Sequence, residues 1–291
     1  MPEYCVQVPD FTVGSGFCWL RERCRLIGGT APGLLCTKYA GFRIVHESIF
    51  SPGALLDAVA MHQANLESGN TVKVDVKRRI SRSSLNGMPV VVKEYRRLHR
   101  WRFFSADQRG WLGARRLRGS CRVVAWLRAR DASVAYVIME DAGARDLILK
   151  NGFQDAPEAP ALFRAAGVMM GRLHNAGIYH ADCKASNFVV REHEDGGFAL
   201  ELIDCDDVRR LRISKARRAK NLAQFLGAQE FMSDYARLLL LTREFIAGYR
   251  GETGLAADAM KAILNRICPY SDRIYPERAE TMARLTAEVQ E

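Results

Sequence analysis

The chain has 291 residues, 48% of them hydrophobic, and a formal net charge of +10. This length and apolar content can bury a full core in two lobes, and no run approaches the roughly eighteen apolar residues of a membrane span. The eight cysteines show neither a C-x-x-C pair nor a ligand spacing with histidine, so no zinc site or disulfide framework is expected. The start lacks the pattern of a signal peptide, and the expected location is the reducing cytoplasm.

The first seventy residues give few signals of regular structure. A helix is predicted over Pro52 to Leu66, and this region is expected to pack on the small lobe without forming a domain of its own. Gly14-Ser15-Gly16 lacks the third glycine of a glycine-rich phosphate loop, and it lies too far upstream of the apolar run at Val90 to Val92 to serve as one.

A nucleotide-binding strand is predicted at Val90-Val91-Val92-Lys93, after the turn signal Asn86-Gly87. It is typical of the V-A-I-K strand, whose lysine holds the α- and β-phosphates of ATP. Strand residues alternate faces, so Val91 is expected beside Lys93 and over the adenine. Where a glycine-rich loop would stand, the chain has Asp75 to Arg79, whose basic side chains would either help bind phosphates or form a solvated turn.

The next element is a candidate helix over Ala106 to Leu117, where a kinase offers a glutamate to the strand lysine. This helix contains no glutamate, and Asp107 is the one acid in it placed to pair with Lys93. The departure keeps open the alternative of a catalytically silent, nucleotide-binding pseudokinase scaffold.

The lobes are expected to join near Val137 to Gly143, where an apolar strand ends in acidic and small residues. The backbone at Glu140 and Ala142 would recognise the adenine. The predicted domains are residues 1–140, an N-terminal extension plus the small nucleotide-binding lobe, and residues 141–291, a helical catalytic lobe.

The most specific pattern is residues 180–187, HADCKASN. It has the spacing H-x-D-x-K-x-x-N of a kinase catalytic loop and follows a helix predicted over Ala161 to Ala176. Phosphoryl transfer needs a carboxylate to accept the proton of the attacking hydroxyl and a cation near the moving phosphoryl group. Asp182 and Lys184 are the predicted catalytic residues for these two tasks.

A magnesium site is predicted from two further residues. Asn187 ends the loop, and Asp204 follows seventeen residues later. Short strands over Phe188 to Val190 and Leu200 to Ile203 would present the amide oxygen and the carboxylate toward one another. Both side chains would bind Mg²⁺ and, through it, the nucleotide.

Three stretches resemble the bacterial lipopolysaccharide core kinase family, which includes kinases of inner-core heptose and of 3-deoxy-D-manno-octulosonic acid. They are Lys77 to Arg97, Leu173 to Val190 and Leu202 to Arg209, and the likeness covers roughly residues 70 to 250. The resemblance implies an α+β, protein-kinase-like bilobal fold with a small β-rich N-lobe and a mainly helical C-lobe. It also implies ATP and Mg²⁺ as cofactors and a sugar hydroxyl of the lipopolysaccharide inner core as acceptor.

The positive charge is concentrated directly after Asp204, where an acceptor should dock. Seven of the twelve residues from 209 to 220 are basic, and Arg209, Arg210 and Arg212 are the candidate acceptor-binding residues. They suit an anionic glycolipid and peripheral contact with the membrane surface, at the inner face of the inner membrane. Nucleic acid is not expected, since no recognition motif accompanies the charge. No A-P-E motif or peptide platform follows, but a small-molecule or protein kinase of the same fold stays an alternative.

Overall fold

The structure is a computed structural model that describes residues 6–7, 34–76, 78–96, 122–141, 143, 145–147, 156–194, 196–227, 234–274 and 276–290. Its contacts divide the chain into two compact units. The sheet unit comprises Val13–Leu117 and Cys121–Gly143, and the helical unit comprises Met1–Thr12, Arg118–Ser120 and Ala144–Glu291. The predicted domain boundary at residues 140 and 141 stays a prediction.

The sheet unit is built on seven antiparallel strands in the order β2-β3-β7-β8-β6-β5-β4. The strands are β2 (Leu34–Tyr39), β3 (Phe42–Glu47), β4 (Lys73–Val74), β5 (Arg78–Leu85), β6 (Met88–Arg96), β7 (Val123–Ala129) and β8 (Val134–Glu140). Strand β6, which carries the predicted nucleotide residues, lies in the interior of this sheet between β5 and β8.

The turn between β5 and β6 has the geometry that its sequence predicts. Asn86 and Gly87 have φ angles of 52° and 81°, and Leu85 pairs with Met88. Positive φ at both central residues defines the type I′ turn, whose twist matches that of the flanking strands. The predicted strand at Val90 to Lys93 is confirmed as part of β6.

Helix α1 (Pro52–Glu67) confirms the helix predicted in the N-terminal region. Its cap is Ser51, whose Oγ accepts a hydrogen bond from the backbone N–H of Ala54 at 3.2 Å. The helix packs on β5 and β6 and shares a buried apolar cluster with Val90 and Val92. Burying each such side chain contributes about 1.5–3 kcal/mol. Because strand residues alternate, Val91 and Lys93 lie on the opposite face of the sheet.

The helical unit contains six of the described helices and two small sheets. The helices are α2 (Ala159–Asn175), α3 (Lys215–Gly227), α4 (Tyr235–Thr253), α5 (Ala257–Leu264), α6 (Ile267–Ile274) and α7 (Ala279–Glu288). One sheet has the order β1-β12-β11-β9, and the other is the pair β10-β13. Their strands are β1 (Val6–Gln7), β9 (Arg145–Asp146), β10 (Ile178–His180), β11 (Phe188–Glu192), β12 (Phe198–Leu202) and β13 (Val208–Arg210).

Helices α2 and α4 approach so closely that each requires glycine at the contact. A Cβ atom at Gly167 would lie 2.0 Å from the carbonyl oxygen of Phe245, and one at Gly248 would lie 2.1 Å from that of Arg164. Real Cβ atoms do not approach a backbone oxygen so closely, so these glycines allow the two backbones to meet. This contact holds the middle of α2, the helix that leads into the predicted catalytic loop.

Strand β1 departs from the expectation that residues 1–69 pack on the small lobe. Val6 and Gln7 pair in parallel with Phe198 and Ala199 of β12, in the helical unit. Two residues give too short a pattern to predict a strand partner two hundred positions away. Among the described residues, no helix combines the length and the apolar character needed to cross a membrane.

Candidate active site

The catalytic loop begins where helix α2 ends. The helix stops at Asn175, and Gly177 takes the left-handed conformation, with φ 70°, that glycine adopts without a Cβ penalty. Strand β10 then carries the chain to His180, whose Nδ1 accepts the backbone N–H of Asp182 at 3.2 Å. The predicted helix and its glycine stop are confirmed.

Asp182 and Lys184 lie together at the surface of the loop. Lys184 Nζ is 3.2 Å from Asp182 Oδ2, and the two side chains are 40% and 46% exposed. Pairs this open to water contribute little to stability. The pair provides an accessible carboxylate, a group that can accept the proton of a hydroxyl, with an ammonium group beside it.

Asn187 and Asp204 are brought together by a strand pair. Phe188, directly after Asn187, pairs with Leu202, and the backbone N–H of Ile203 donates to the carbonyl oxygen of Asn187 at 2.9 Å. The two candidate metal ligands therefore stand at the same end of β11 and β12, as the sequence predicts.

The backbone of Asp204 is in the left-handed region, with φ 55° and ψ 50°. This conformation costs a residue with a Cβ atom about 1 kcal/mol or more, although Asp and Asn tolerate it best. Strain of this kind persists where the surrounding structure imposes it, and it is concentrated at functional sites.

The donor set fits Mg²⁺. An amide oxygen and a carboxylate are hard oxygen ligands, and Mg²⁺ takes one or two protein groups and completes its shell with phosphates and water. Within the described part of the chain, no group of three or more His, Cys, Asp or Glu side chains could hold a metal ion. A site built from Asn187 and Asp204 needs no such group.

In the sheet unit, Lys93 is only 5% exposed. It pairs with Ile80 on one side and Val137 on the other, and Val91 lies two residues earlier on the same face. A lysine this deeply placed in the interior of a sheet is not the solvated strand end that such residues usually form. Its place on an interior strand agrees with the V-A-I-K comparison, and its role at the phosphates stays a prediction.

Glu94, which the sequence reasoning passed over, anchors the opposite face of β6. Its carboxylate accepts a hydrogen bond from the side-chain amide of Gln63 at 2.7 Å and is bound by Arg79 and Arg96. Burial alone would raise its pKa, but hydrogen bonds from His62, Gln63 and the two arginines outweigh it and hold the pKa well below the usual range. This network attaches helix α1 to the strand that carries the lysine.

The same network corrects one expectation. Arg79 was expected to help bind phosphates or to belong to a solvated turn, but it pairs with Glu94 instead and its side chain is 19% exposed. The reason is register: Arg79 stands opposite Glu94 in the β5–β6 ladder, on the face that α1 covers. Lys93 is on the other face.

At the predicted adenine-binding segment, two backbone donors are already used within the sheet. The N–H of Glu140 donates to the carbonyl oxygen of Arg122 at 2.8 Å, and that of Asp141 donates to Pro89 at 3.0 Å. Ala142 lies outside the described residues. So do Gly14-Ser15-Gly16 and the helix predicted over Ala106 to Leu117 with its Asp107, and these remain predictions.

The basic run lies beside the catalytic loop. Arg209 and Arg210, on β13, pair with Tyr179 and Ile178 of β10, the strand that leads into the loop. Both arginines and Arg212 are exposed. They therefore form a positive surface beside β10, the strand that ends two residues before Asp182.

The chain matches a family of kinases and is similar to a solved structure. Residues 134–239 match the family described as "Lipopolysaccharide kinase (Kdo/WaaP) family". The solved structure "WaaP in complex with acyl carrier protein" is 20% identical, covers 82% of this chain and 99% of that chain, and has a TM-score of 0.53. The protein-kinase-like α+β fold predicted from the sequence is thereby confirmed.

A third match is to part of a curated protein. The chain is 35% identical over 96 residues to the "Probable bifunctional tRNA threonylcarbamoyladenosine biosynthesis protein" of Methanoculleus marisnigri. The match covers 32% of this chain and 18% of that relative, so the chain spans less than a fifth of the relative's length.

Proposed function

We propose, on the match of residues 134–239 to the lipopolysaccharide kinase (Kdo/WaaP) family, that this chain transfers phosphate from ATP to a sugar hydroxyl of the lipopolysaccharide inner core. The family predicted from the sequence is thus confirmed, and with it the class of enzyme, a phosphotransferase. The observation that carries the proposal is the joint placement of Asp182, Asn187 and Asp204 beside the basic strand β13.

The proposed nucleotide-binding residues are those that match the kinase motifs of the sequence. Lys93 binds the α- and β-phosphates, while Val91 and the segment at Glu140 and Ala142 hold the adenine. Asn187 and Asp204 bind Mg²⁺. When bound, MgATP supplies the phosphoryl group that is transferred.

The chemistry assigned to the chain itself is proton transfer and charge stabilisation. Asp182 accepts the proton of the attacking sugar hydroxyl, and Lys184 places positive charge beside it. General base catalysis of this kind contributes typically about 10²–10⁴-fold to the rate.

The proposed acceptor is an anionic glycolipid bound by Arg209, Arg210 and Arg212. Sugar phosphates match an exposed guanidinium cluster, because arginine binds phosphate through two parallel hydrogen bonds. The same surface suits peripheral contact with an anionic leaflet, to which each basic residue contributes about 1 kcal/mol. We place the protein at the cytoplasmic face of the inner membrane on this basis.

One observation favours a second candidate. The relative in Methanoculleus marisnigri is named for tRNA modification and not for lipopolysaccharide, so an acceptor other than lipopolysaccharide stays open, and the second candidate is a small-molecule or protein kinase of the same fold. The third possibility, a silent nucleotide-binding scaffold, is disfavoured by the assembled Asp182, Asn187 and Asp204.

The experiment is mass spectrometry of core oligosaccharide from a strain that lacks the protein and is complemented with wild type or with Asp182→Asn. Loss of one phosphate from the core, restored by wild type and not by the variant, is the expected result. Identical core masses in all three strains would reject lipopolysaccharide as the acceptor and leave the second candidate.

A further inference from the structure

Two buried amide side chains on helix α3 hold the backbone of the catalytic loop. Asn221 and Gln224 are 1% and 8% exposed, although asparagine and glutamine are among the residues that folded proteins mostly expose. They stand on the inner side of a helix whose other face carries exposed basic residues.

Gln224 makes two contacts with the loop. Its Nε2 donates to the carbonyl oxygen of Ala181 at 2.7 Å, and its Oε1 accepts the backbone N–H of Cys183 at 3.4 Å. These two peptide groups flank Asp182 on either side. The side chain of Gln224 is therefore hydrogen-bonded to the backbone on both sides of the proposed base.

Asn221 holds the strand that enters the loop. Its Nδ2 donates to the carbonyl oxygen of His180 at 2.6 Å and to Gln224 Oε1 at 3.1 Å. Since carbonyl oxygens only accept hydrogen bonds, both amides can face the loop in one orientation only. The NH₂ groups must point at the loop carbonyls.

The orientation of Asn221 determines which atom donates in each hydrogen bond that links it to His174, Tyr249 and Arg218. With Nδ2 committed, Asn221 Oδ1 must accept from His174 Nε2, 3.0 Å away, so His174 is the neutral tautomer with its proton on Nε2. Its Nδ1 then accepts from the hydroxyl of Tyr249 at 2.8 Å, and the oxygen of Tyr249 accepts from Arg218 at 2.8 Å. Burial lowers the pKa of His174 to about 4, which keeps it neutral at pH 7.

We propose that Asn221 and Gln224 are positioning residues, which set the backbone on both sides of Asp182 through a one-way chain of hydrogen bonds running from Arg218 across α2, α3 and α4. The inference rests on the proposed function, since it assigns a role in the placement of its catalytic base. Neither residue touches the substrate or the nucleotide in this role.

The physical reason is that a catalytic base works only within a narrow geometry, and a displacement of about 1 Å can cost 10²-fold in rate. Cys183 and Ala185 of the loop are buried, whereas the side chain of Asp182 is 46% exposed and gains little from apolar packing. Buried hydrogen bonds supply the constraint, because breaking one leaves a buried carbonyl group without a partner.

Two isosteric substitutions test this role. Gln224→Glu keeps the shape but cannot donate to Ala181 when ionised, and Gln224→Met keeps the volume without any polar atom. The matched control is Leu241→Ala, a truncation in the core on α4 that loses stability and no hydrogen bond. Three quantities are measured for each: kcat, the KM for ATP, and hydrogen exchange of a peptide covering residues 181–187.

We expect both Gln224 variants to lower kcat by about tenfold or more with an unchanged KM for ATP, and to speed exchange of the loop amides by about tenfold. Leu241→Ala should change neither kcat nor loop exchange. If Gln224→Glu fails to fold, Gln224→Met carries the test. Wild-type kcat and wild-type exchange in Gln224→Met would overturn the positioning role.

Failure of the proposed function gives a different result. If Asp182→Asn turns over like wild type in the same assay, Asp182 is not the base and the mechanism assigned to the loop fails. Hydrogen exchange reports on the loop without any turnover, so it still decides whether Gln224 holds the loop backbone: fast exchange in Gln224→Met supports this, and unaltered exchange rejects it.

Discussion

The side-chain amide of Asn187 donates a 2.7 Å hydrogen bond to the backbone carbonyl oxygen of Asp182. Because a carbonyl oxygen only accepts, this bond fixes which end of the amide carries the NH₂ group. Asn187 Oδ1 is the end that remains to face a metal ion. The same bond closes the loop between the two residues, so a change at either one is expected to disturb both base and ligand.

The first prediction concerns Asp204. Asp204→Ala should abolish the Mg²⁺-dependent part of nucleotide affinity, because the metal bridges the β- and γ-phosphates and the site loses its carboxylate. Calorimetry of ATP binding with and without Mg²⁺ measures this.

The control for backbone strain is Asp204→Asn. Asparagine accepts the left-handed conformation of Asp204 more readily than alanine does, so this variant removes the charge and keeps the backbone. We expect it to lose Mg²⁺-dependent affinity as well. If it binds MgATP like wild type while the alanine variant does not, Asp204 serves the backbone and not the metal.

A second prediction concerns Lys93. Lys93→Met retains the buried stem and removes the ammonium group, and the loss of charged hydrogen bonds to phosphates should weaken ATP binding by about 1.5–3 kcal/mol, roughly ten- to a hundredfold in Kd. Lys38→Met, at an exposed lysine of strand β2, should bind as wild type does. Equal affinity in the two variants would remove Lys93 from the nucleotide site.

A third prediction tests the basic surface beside the loop. Reversing Arg209, Arg210 and Arg212 to glutamate should raise the KM for the acceptor strongly and leave the KM for ATP unchanged. The wild-type reaction should also weaken with added salt, because attraction between exposed charges is screened over about 8 Å at physiological ionic strength.

Reversal of three exposed basic residues in the segment from helix α5 to helix α6 provides the matched change in charge. These are Lys261, Arg266 and Arg273. This control should leave both KM values alone. If the two triple variants behave alike and the kinetics do not respond to salt, the cluster is a solvated face, and the small-molecule alternative moves ahead.

A fourth prediction follows from His174. Its pKa is lowered by burial from about 6.5 in the unfolded chain to about 4 in the native state, so between these values the unfolded state binds the proton and the native state does not. The resulting stability is fully present above pH 6.5 and declines as the pH falls toward 4, by up to about 3 kcal/mol. Urea unfolding of wild type and His174→Gln at pH 7 and pH 5 measures the difference. Identical pH dependence in the two proteins would contradict the buried neutral histidine.

Local signals in the sequence were sufficient for much of the site. Asn86-Gly87 predicts a type I′ turn because both residues tolerate positive φ, and the apolar spacing before Gly177 predicts helix α2 with its stop. The loop from His180 to Asn187 could be identified because phosphoryl transfer requires those residue types at that spacing.

Contacts between distant elements could not be predicted in this way. Glu94 is an ordinary charged neighbour of Lys93 in the sequence, and only the packing of α1 makes it a buried anchor. In the sequence, Asn221 and Gln224 are typical of the polar positions of an amphipathic helix. Their partners lie about forty residues earlier in the chain, and no periodicity indicates which polar side chain of a helix turns inward to meet a loop.

The most direct test of the central claim is phosphate transfer from ATP to purified inner-core oligosaccharide, with product analysis by mass spectrometry, for wild type and Asp182→Asn. Asparagine keeps the shape of the side chain and removes the base, so we expect transfer to fall about 10²-fold or more, while the Kd for MgATP stays close to that of wild type. Undiminished transfer by a pure preparation of Asp182→Asn would contradict Asp182 as the base and, with it, the kinase mechanism assigned to this chain.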